Sequence, residues 1–302
     1  MPARIFDGVL DLVGRTPLIR LGRLSPEGAG EVCAKAEFLN PGGSVKDRPA
    51  LSMVRAAEAS GALKPGSTIV EATSGNTGIS LAMIAAVRGY PCVLVMPEDM
   101  SIARRLVLKS YGAEVILTPA QEGMAGSVAR AEEVLKSTPG AWMSRQFANE
   151  ANPSMHEETT GEEIWRDTDG KIDAFVTGVG TGGTLTGMAR ALRKKNPRVK
   201  IVAVEPRASA VLSGGKPGLH AIQGLGAGFV PEVLELGLVD SVVTVTDLAA
   251  DRMMKRLARE EGLHVGPSAG ANVHAAVEYA RTMPEGTRVV TILCDSGERY
   301  LC

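Results

Sequence analysis

Short runs of β-branched and aliphatic residues alternate with longer runs whose apolar residues return at helical spacing, and this alternation constrains the fold more than any other feature. Residues 67–72 (STIVEA), 92–96 (CVLVM), 114–118, 174–177, 201–205 and 289–293 read as strands. Residues 76–88, 101–111, 126–137, 185–195, 248–261 and 271–283 read as helices. Strands joined by crossover helices imply parallel sheets covered on both faces, so the expected class is α/β. A chain of 302 residues suits one large domain or two smaller ones.

Composition narrows the function classes. Lys plus Arg is 33 and Asp plus Glu is 34, a formal net charge of -1. That balance gives no electrostatic reason to expect nucleic acid or an anionic membrane surface as partner. No apolar window reaches the roughly 18 residues a bilayer span needs, and residues 1–8 show no basic segment followed by an apolar run. A cytoplasmic location without a leader is therefore expected. Aromatic residues make up only 4%, which leaves the core to Val, Leu, Ile, Ala and Met. Cys33, Cys92, Cys294 and Cys302 form no CxxC pair, and the first three fall in apolar, strand-like stretches where inert thiols are usual. His156, His220, His264 and His274 lack paired ligand spacing, so no metal site is expected.

Glycine and polar residues cluster at three strand-to-helix turns: Asn40-Pro41-Gly42-Gly43-Ser44, Thr73-Ser74-Gly75-Asn76-Thr77-Gly78, and Gly178-Val179-Gly180-Thr181-Gly182-Gly183-Thr184. Ligands of open α/β sheets bind at the carboxyl ends of strands, where such turns lie. In the third turn, glycines let the backbone approach a bound group, and the first-turn N–H groups of the following helix have no intrahelical partner. With the helix dipole they suit a phosphate, and Thr181 and Thr184 add hydroxyls. The turn lacks the GK[ST] ending of a P-loop. GVGTGG also passes for a dinucleotide fingerprint, although no early βαβ unit accompanies it. The second turn places Thr73, Ser74, Asn76 and Thr77 beside exposed N–H groups, a mix suited to a carboxylate or a cofactor hydroxyl. Its plain alternative is a helix capped by Ser74 or Asn76. Lys46 follows the first turn at a helix start, where the dipole disfavours a cation. A desolvated lysine amine is a nucleophile for aldehydes. A phosphate cup, a misplaced lysine and a carboxylate loop together suggest a phosphorylated aldehyde cofactor acting on an amino acid.

At these residues the chain resembles the cysteine synthase (O-acetylserine sulfhydrylase) branch of the fold-type II pyridoxal phosphate (PLP) enzymes. The resemblance covers nearly the whole chain in seven ordered motifs: Val13-Gly14-Arg15-Thr16-Pro17-Leu18; the lysine motif from Asn40 to Arg48; the substrate loop from Thr73 to Gly78; Gln146-Phe147 with Asn152-Pro153, His156 and Thr159-Thr160-Gly161; the phosphate loop from Gly180 to Thr184; the run from Ile222 to Phe229; and Gly297-Glu298-Arg299-Tyr300-Leu301. It implies a tryptophan synthase β-like architecture of two domains, each a mostly parallel twisted sheet covered by helices. Residues 46–150 would form the smaller, substrate-loop domain. Residues 1–45 and 151–302 would form the larger one, with the phosphate loop.

The resemblance also assigns roles. Lys46 would hold PLP as an imine and then take the Cα proton of the substrate. Gly180, Thr181, Gly182, Gly183 and Thr184 would hold the cofactor phosphate, Asn76 its 3′-oxygen, and Ser268 its pyridine nitrogen. Thr73, Ser74, Gly75, Thr77 and Gln146 would bind the substrate α-carboxylate. A neutral hydroxyl at Ser268 cannot keep the ring protonated as an aspartate does, which favours β-elimination over transamination. The implied reaction turns O-acetyl-L-serine and sulfide into L-cysteine and acetate by way of an aminoacrylate. Implied partners are a second copy in a homodimer and the C-terminal tail of serine acetyltransferase. The chain departs from the family at Pro267-Ser268-Ala269-Gly270, where Ile-Ser-Ser-Gly is more frequent, and at Ala103, where a glutamate is common. These departures keep O-phosphoserine sulfhydrylase and cystathionine β-synthase open as alternatives. O-phosphoserine would need an extra cation, for which Arg104, Arg207 and Lys216 are candidates. A PLP-binding scaffold without turnover and a dinucleotide-dependent dehydrogenase are the readings from other classes.

Overall fold

The computed structural model describes residues 5–73 and 75–301; Ser74 and Cys302, both singled out above, lie outside the described residues. The chain divides into two compact units, one from Met1–Val13 and Lys46–Ala151, the other from Gly14–Val45 and Asn152–Leu301. In chain order the elements are β1 (Leu18–Arg20), β2 (Glu31–Ala36), α1 (Asp47–Ser60), β3 (Ile69–Ala72), α2 (Asn76–Arg88), β4 (Cys92–Pro97), α3 (Ile102–Ser110), β5 (Glu114–Thr118) and α4 (Gly123–Ser137). There follow α5 (Ala151–Met155), a π-helical turn His156–Thr160, α6 (Gly161–Asp167), β6 (Ala174–Gly178), α7 (Gly183–Lys195), β7 (Lys200–Pro206), β8 (Ser241–Val245), α8 (Asp247–Glu260), α9 (Pro267–Ala280) and β9 (Arg288–Leu293).

In the first unit β3, β4 and β5 form a parallel sheet in that order. Side chains alternate between its faces, as the period of a strand requires. Ile69, Cys92, Leu94 and Met96 enter a core with Leu51 and Val54 of α1 and Leu81 and Ile84 of α2. Val70 and Val95 face the other way, onto Ala131 of α4. Both faces are thus covered, which is why these strands read as continuous apolar runs. Leu10 joins the first of these cores, with Val9 and Val13 packed beside it. The opening segment therefore goes with this unit, whereas the sequence reading counts it with the other.

The second unit is built on a six-stranded sheet of order β1-β2-β9-β6-β7-β8, parallel except for the edge pair β1–β2. The same alternation sorts its side chains. Val32, Ala34, Ala174, Val176, Val202 and Val204 face α8 and α9. Cys33, Phe175, Ile201, Ala203, Val290 and Ile292 face α6 and α7. Gly270 lets α9 lie close to α8; a β-carbon there would stand 2.3 Å from the Ala250 carbonyl oxygen. No helix among the described residues is long and apolar enough to cross a membrane.

Candidate active site

In the first unit, Lys46 is the N-cap of α1, half-buried, with φ −68° and no side-chain cap. Its carbonyl accepts the Ala50 N–H at 3.0 Å. Asp47, the next residue, is fully buried and its carboxylate accepts the Ser80 hydroxyl of α2 at 2.6 Å, so the start of α1 is tied to α2. Gly75, rather than a polar side chain, occupies the N-cap of α2, and Asn76 is the first helical residue. Asn76 is thus not the N-cap, and Ser74, the other capping candidate, lies outside the described residues. Thr73 is buried and its hydroxyl accepts the Gly75 N–H at 3.2 Å. Thr77 donates to Gln146 Oε1 at 2.8 Å. Thr73, Gly75, Asn76, Thr77 and Gln146 are therefore gathered around one helix start, although Gln146 lies 69 residues from Thr77 in the chain.

In the second unit β6 runs into the loop of residues 178–182 and then α7. Gly182 is the N-cap of α7 at φ +87°, a left-handed conformation that L side chains rarely adopt, and it has no side chain with which to cap the helix. A β-carbon at Gly180 would stand 2.2 Å from the Gly224 carbonyl oxygen, and one at Gly183 would stand 2.0 Å from Asn152 Oδ1. Neighbouring atoms thus press on this turn closely, and glycine is required there. Asn152 Nδ2 donates to the Thr181 hydroxyl at 3.1 Å. His156, itself buried, bonds Thr184 Oγ1 at 3.2 Å through Nε2 and Thr160 at 3.0 Å through Nδ1. Both loop hydroxyls are held from behind. Ser268, buried in the first turn of α9 after Pro267, lies beside Gly224, whose added β-carbon would be 3.8 Å from the serine hydroxyl. The phosphate loop, the Gly224 turn and Ser268 therefore adjoin one another.

The turn ahead of Lys46 is clamped from several sides within the second unit. Glu37 is fully buried and accepts the Thr16 hydroxyl at 2.6 Å and the Asn40 amide at 2.8 Å. Asn40 accepts the Gly14 N–H at 2.8 Å. Arg299 donates to the Gly42 carbonyl, and the Val45 N–H donates to the Cys294 carbonyl at 2.8 Å. Sequence reasoning quoted the motifs of Asn152, His156 and Arg299 but gave these residues no task. A lone polar residue in a helix turn carries no signal of the hydroxyl it supports across 28 positions. Lys35 was missed outright. It is fully buried, with its ammonium 2.9 Å from Glu163 and 3.3 Å from Asp167. Of the cations considered for O-phosphoserine, Arg207 and Lys216 are exposed in the second unit, and Arg104 lies half-buried on α3 of the first. Burial pushes the Cys92 thiol up to about 12 and the Cys33 thiol in the same direction, as expected of unreactive core cysteines.

The donor set fits a phosphorylated cofactor. The uncapped start of α7 offers main-chain N–H groups and two pre-oriented hydroxyls to an anion, and no acidic side chain stands in the loop to oppose one. Within the second unit, an uncapped helix start behind a parallel strand with the neutral hydroxyl of Ser268 beside the adjoining Gly224 turn suits the class of enzymes that bind pyridoxal phosphate. The chain belongs to the pyridoxal-phosphate dependent enzyme family, whose pattern it matches over residues 9–295. It is 50% identical over 302 residues to the cysteine synthase of Staphylococcus aureus, covering 100% of this chain and 97% of that protein. Among solved structures, cysteine synthase from Entamoeba histolytica superposes with a TM-score of 0.96 at 40% identity, over 100% of this chain and 90% of that one. An O-ureido-L-serine synthase superposes with a TM-score of 0.95 at 49% identity, over 99% and 94%. The fold class is that of these enzymes, the cofactor is PLP, and the dehydrogenase reading falls away.

Proposed function

We propose that the chain replaces the acetoxy group of O-acetyl-L-serine by sulfide, giving L-cysteine and acetate. The observation that carries this reading is the full-length 50% identity to a cysteine synthase in a chain that keeps Lys46 at the end of its clamped turn. Bound PLP supplies an aldehyde that condenses with amino groups and a conjugated ring that accepts electron density from the substrate's Cα. Lys46 would anchor the cofactor through Nζ; once the substrate's amino group has displaced it there, the freed amine takes the Cα proton. The Cβ–O bond breaks as acetate leaves with its electron pair. Sulfide bonds to Cβ, and Lys46 returns the proton to Cα. Gly180, Thr181, Gly182, Gly183 and Thr184 would hold the phosphate, Asn76 would donate to the ring's 3′-oxygen, and Ser268 would serve the ring nitrogen as a neutral partner. Thr73, Ser74, Gly75, Thr77 and Gln146 bind the α-carboxylate. The first unit thus acts as the substrate-loop domain and the second as the phosphate-loop domain.

The test is purified holoenzyme given O-acetylserine, O-phosphoserine or L-serine separately. O-acetylserine alone should shift the visible absorption of the lysine-bound cofactor, and adding sulfide should restore it with release of L-cysteine. A response to O-phosphoserine or L-serine in its place would move the reading to the corresponding sulfhydrylase or cystathionine β-synthase. The 49% identity to an O-ureido-L-serine synthase favours a second reading in which the incoming nucleophile is not sulfide. Hydroxyurea competing against sulfide for the activated enzyme decides between them.

The protein works as a cytoplasmic homodimer on this reading, which sedimentation of the holoenzyme at micromolar concentration checks. The carboxylate-binding loop also suits the C-terminal tail of a serine acetyltransferase. A peptide ending in a free carboxylate should then compete with O-acetylserine, and its amidated form should not.

A further inference from the structure

We propose that Glu71 is a positioning residue that holds Gln146 against the loop of residues 73–78 and so sets the affinity of the site for the substrate carboxylate. It rests on the reading in which Thr73, Thr77 and Gln146 bind that carboxylate. The segment carrying Gln146 runs parallel to β3 on its free edge. Ile69 pairs with Trp142; the Trp142 N–H donates to the Thr68 carbonyl and the Val70 N–H to the Trp142 carbonyl, both at 2.8 Å. In register, the next donor of the ladder is the Ser144 N–H. It goes to the Glu71 carboxylate at 3.1 Å, and the Ser144 hydroxyl donates to the same oxygen. A side chain takes over where main-chain pairing stops. Arg145 then adopts φ +50°, the chain turns away from the strand, and Gln146 meets Thr77 at 2.8 Å.

Glu71 lies on β3 two residues before Thr73, so a single carboxylate joins the two segments that carry the loop and Gln146. Glu71 and Ser144 are 5% and 0% exposed, which keeps water from substituting for either partner. Burial of an acid costs folding free energy, and burial pushes this one up to about 7, opposed only by the Ser144 and main-chain bonds. An apolar residue at position 71 would avoid that cost but would leave the Ser144 donors unsatisfied and release the segment just before Gln146 from β3.

The experiment uses holoenzyme of the parent, E71Q, E71A and S144A, and reads KM for O-acetylserine, KM for sulfide and kcat separately. Losing these bonds in E71A should raise the O-acetylserine KM by about tenfold; S144A, which keeps its N–H, should raise it by about threefold. KM for sulfide should stay at the parent value, and E71Q, which retains an acceptor, should recover most of the loss. If E71A fails to fold, S144A still decides. An S144A enzyme with parental KM for O-acetylserine overturns the inference, as does one in which all three parameters change together. Should the parent ignore O-acetylserine, O-phosphoserine and L-serine carry the same comparison, because all three share the carboxylate. Silence of the parent towards all three overturns the underlying reading and this inference with it; a responsive parent beside an unaltered S144A overturns the inference alone.

Discussion

A buried carboxyl such as Glu71 couples stability to pH in an unusual direction. In the unfolded chain it ionises near its ordinary value of 4.5, in the folded protein at about 7. Between those values the folded form keeps a proton that the unfolded form has lost. Stability therefore falls as pH rises through that window and levels off above it. Glutamine at position 71 has no proton to lose, so the advantage of E71Q over the parent should grow by about 2 kcal/mol between about pH 5 and about pH 8, read by urea unfolding at both. Lys46 supplies the other prediction at this scale. K46A should bind PLP without the visible absorption of a lysine imine, and borohydride reduction of the parent followed by peptide mapping should place the label on Lys46. Its neighbours Ser44-Val45 and Asp47-Arg48 announced the motif, whereas nothing adjacent in sequence to Glu71 announced Ser144. The two meet only because the segment of Trp142 folds back along β3.

On the proposed reading helix starts carry the chemistry of this protein, and α7 shows how narrowly one is specified. Its start must be uncapped to offer N–H groups outward, Gly183 must be glycine to fit under Asn152, and Gly180 in the loop before it must be glycine to fit under Gly224. G183A would drive a β-carbon into Asn152, so the apoprotein should bind PLP at least about tenfold more weakly in an absorption titration. The ends of α7 and α2 were legible because glycines and hydroxyls cluster ahead of an apolar helical period. The range 76–88 is observed as Asn76–Arg88, and 114–118 as β5. Other elements were not legible. β1 is only three residues long, too short for a period to appear, and β8 is a half-exposed edge strand. The π-helical turn His156–Thr160 has no sequence signal at all; in it His156 reaches both Thr160 and Thr184.

Across the whole molecule, stability comes from sheets with two buried faces. Phe175 is fully buried among Ile164, Leu185, Leu192 and Ile201 at the centre of the second unit. F175A removes a large side chain from a fully buried site and should destabilise that unit by about 3–5 kcal/mol, measured by denaturant titration of the holoenzyme. The α/β class, the parallel strands and the three glycine-rich turns follow from the sequence itself, because a strand buried on both faces must be written in continuous apolar residues and a turn that could admit an anion in glycine and hydroxyls. Partnership across long chain separations was decided by tertiary structure alone. Gln146 against Thr77, Asn152 behind Thr181, Arg299 over Gly42 and Ser144 on Glu71 are hydrogen bonds between residues distant in sequence. Such a bond depends on where two backbones pass, and no local pattern of residues encodes that.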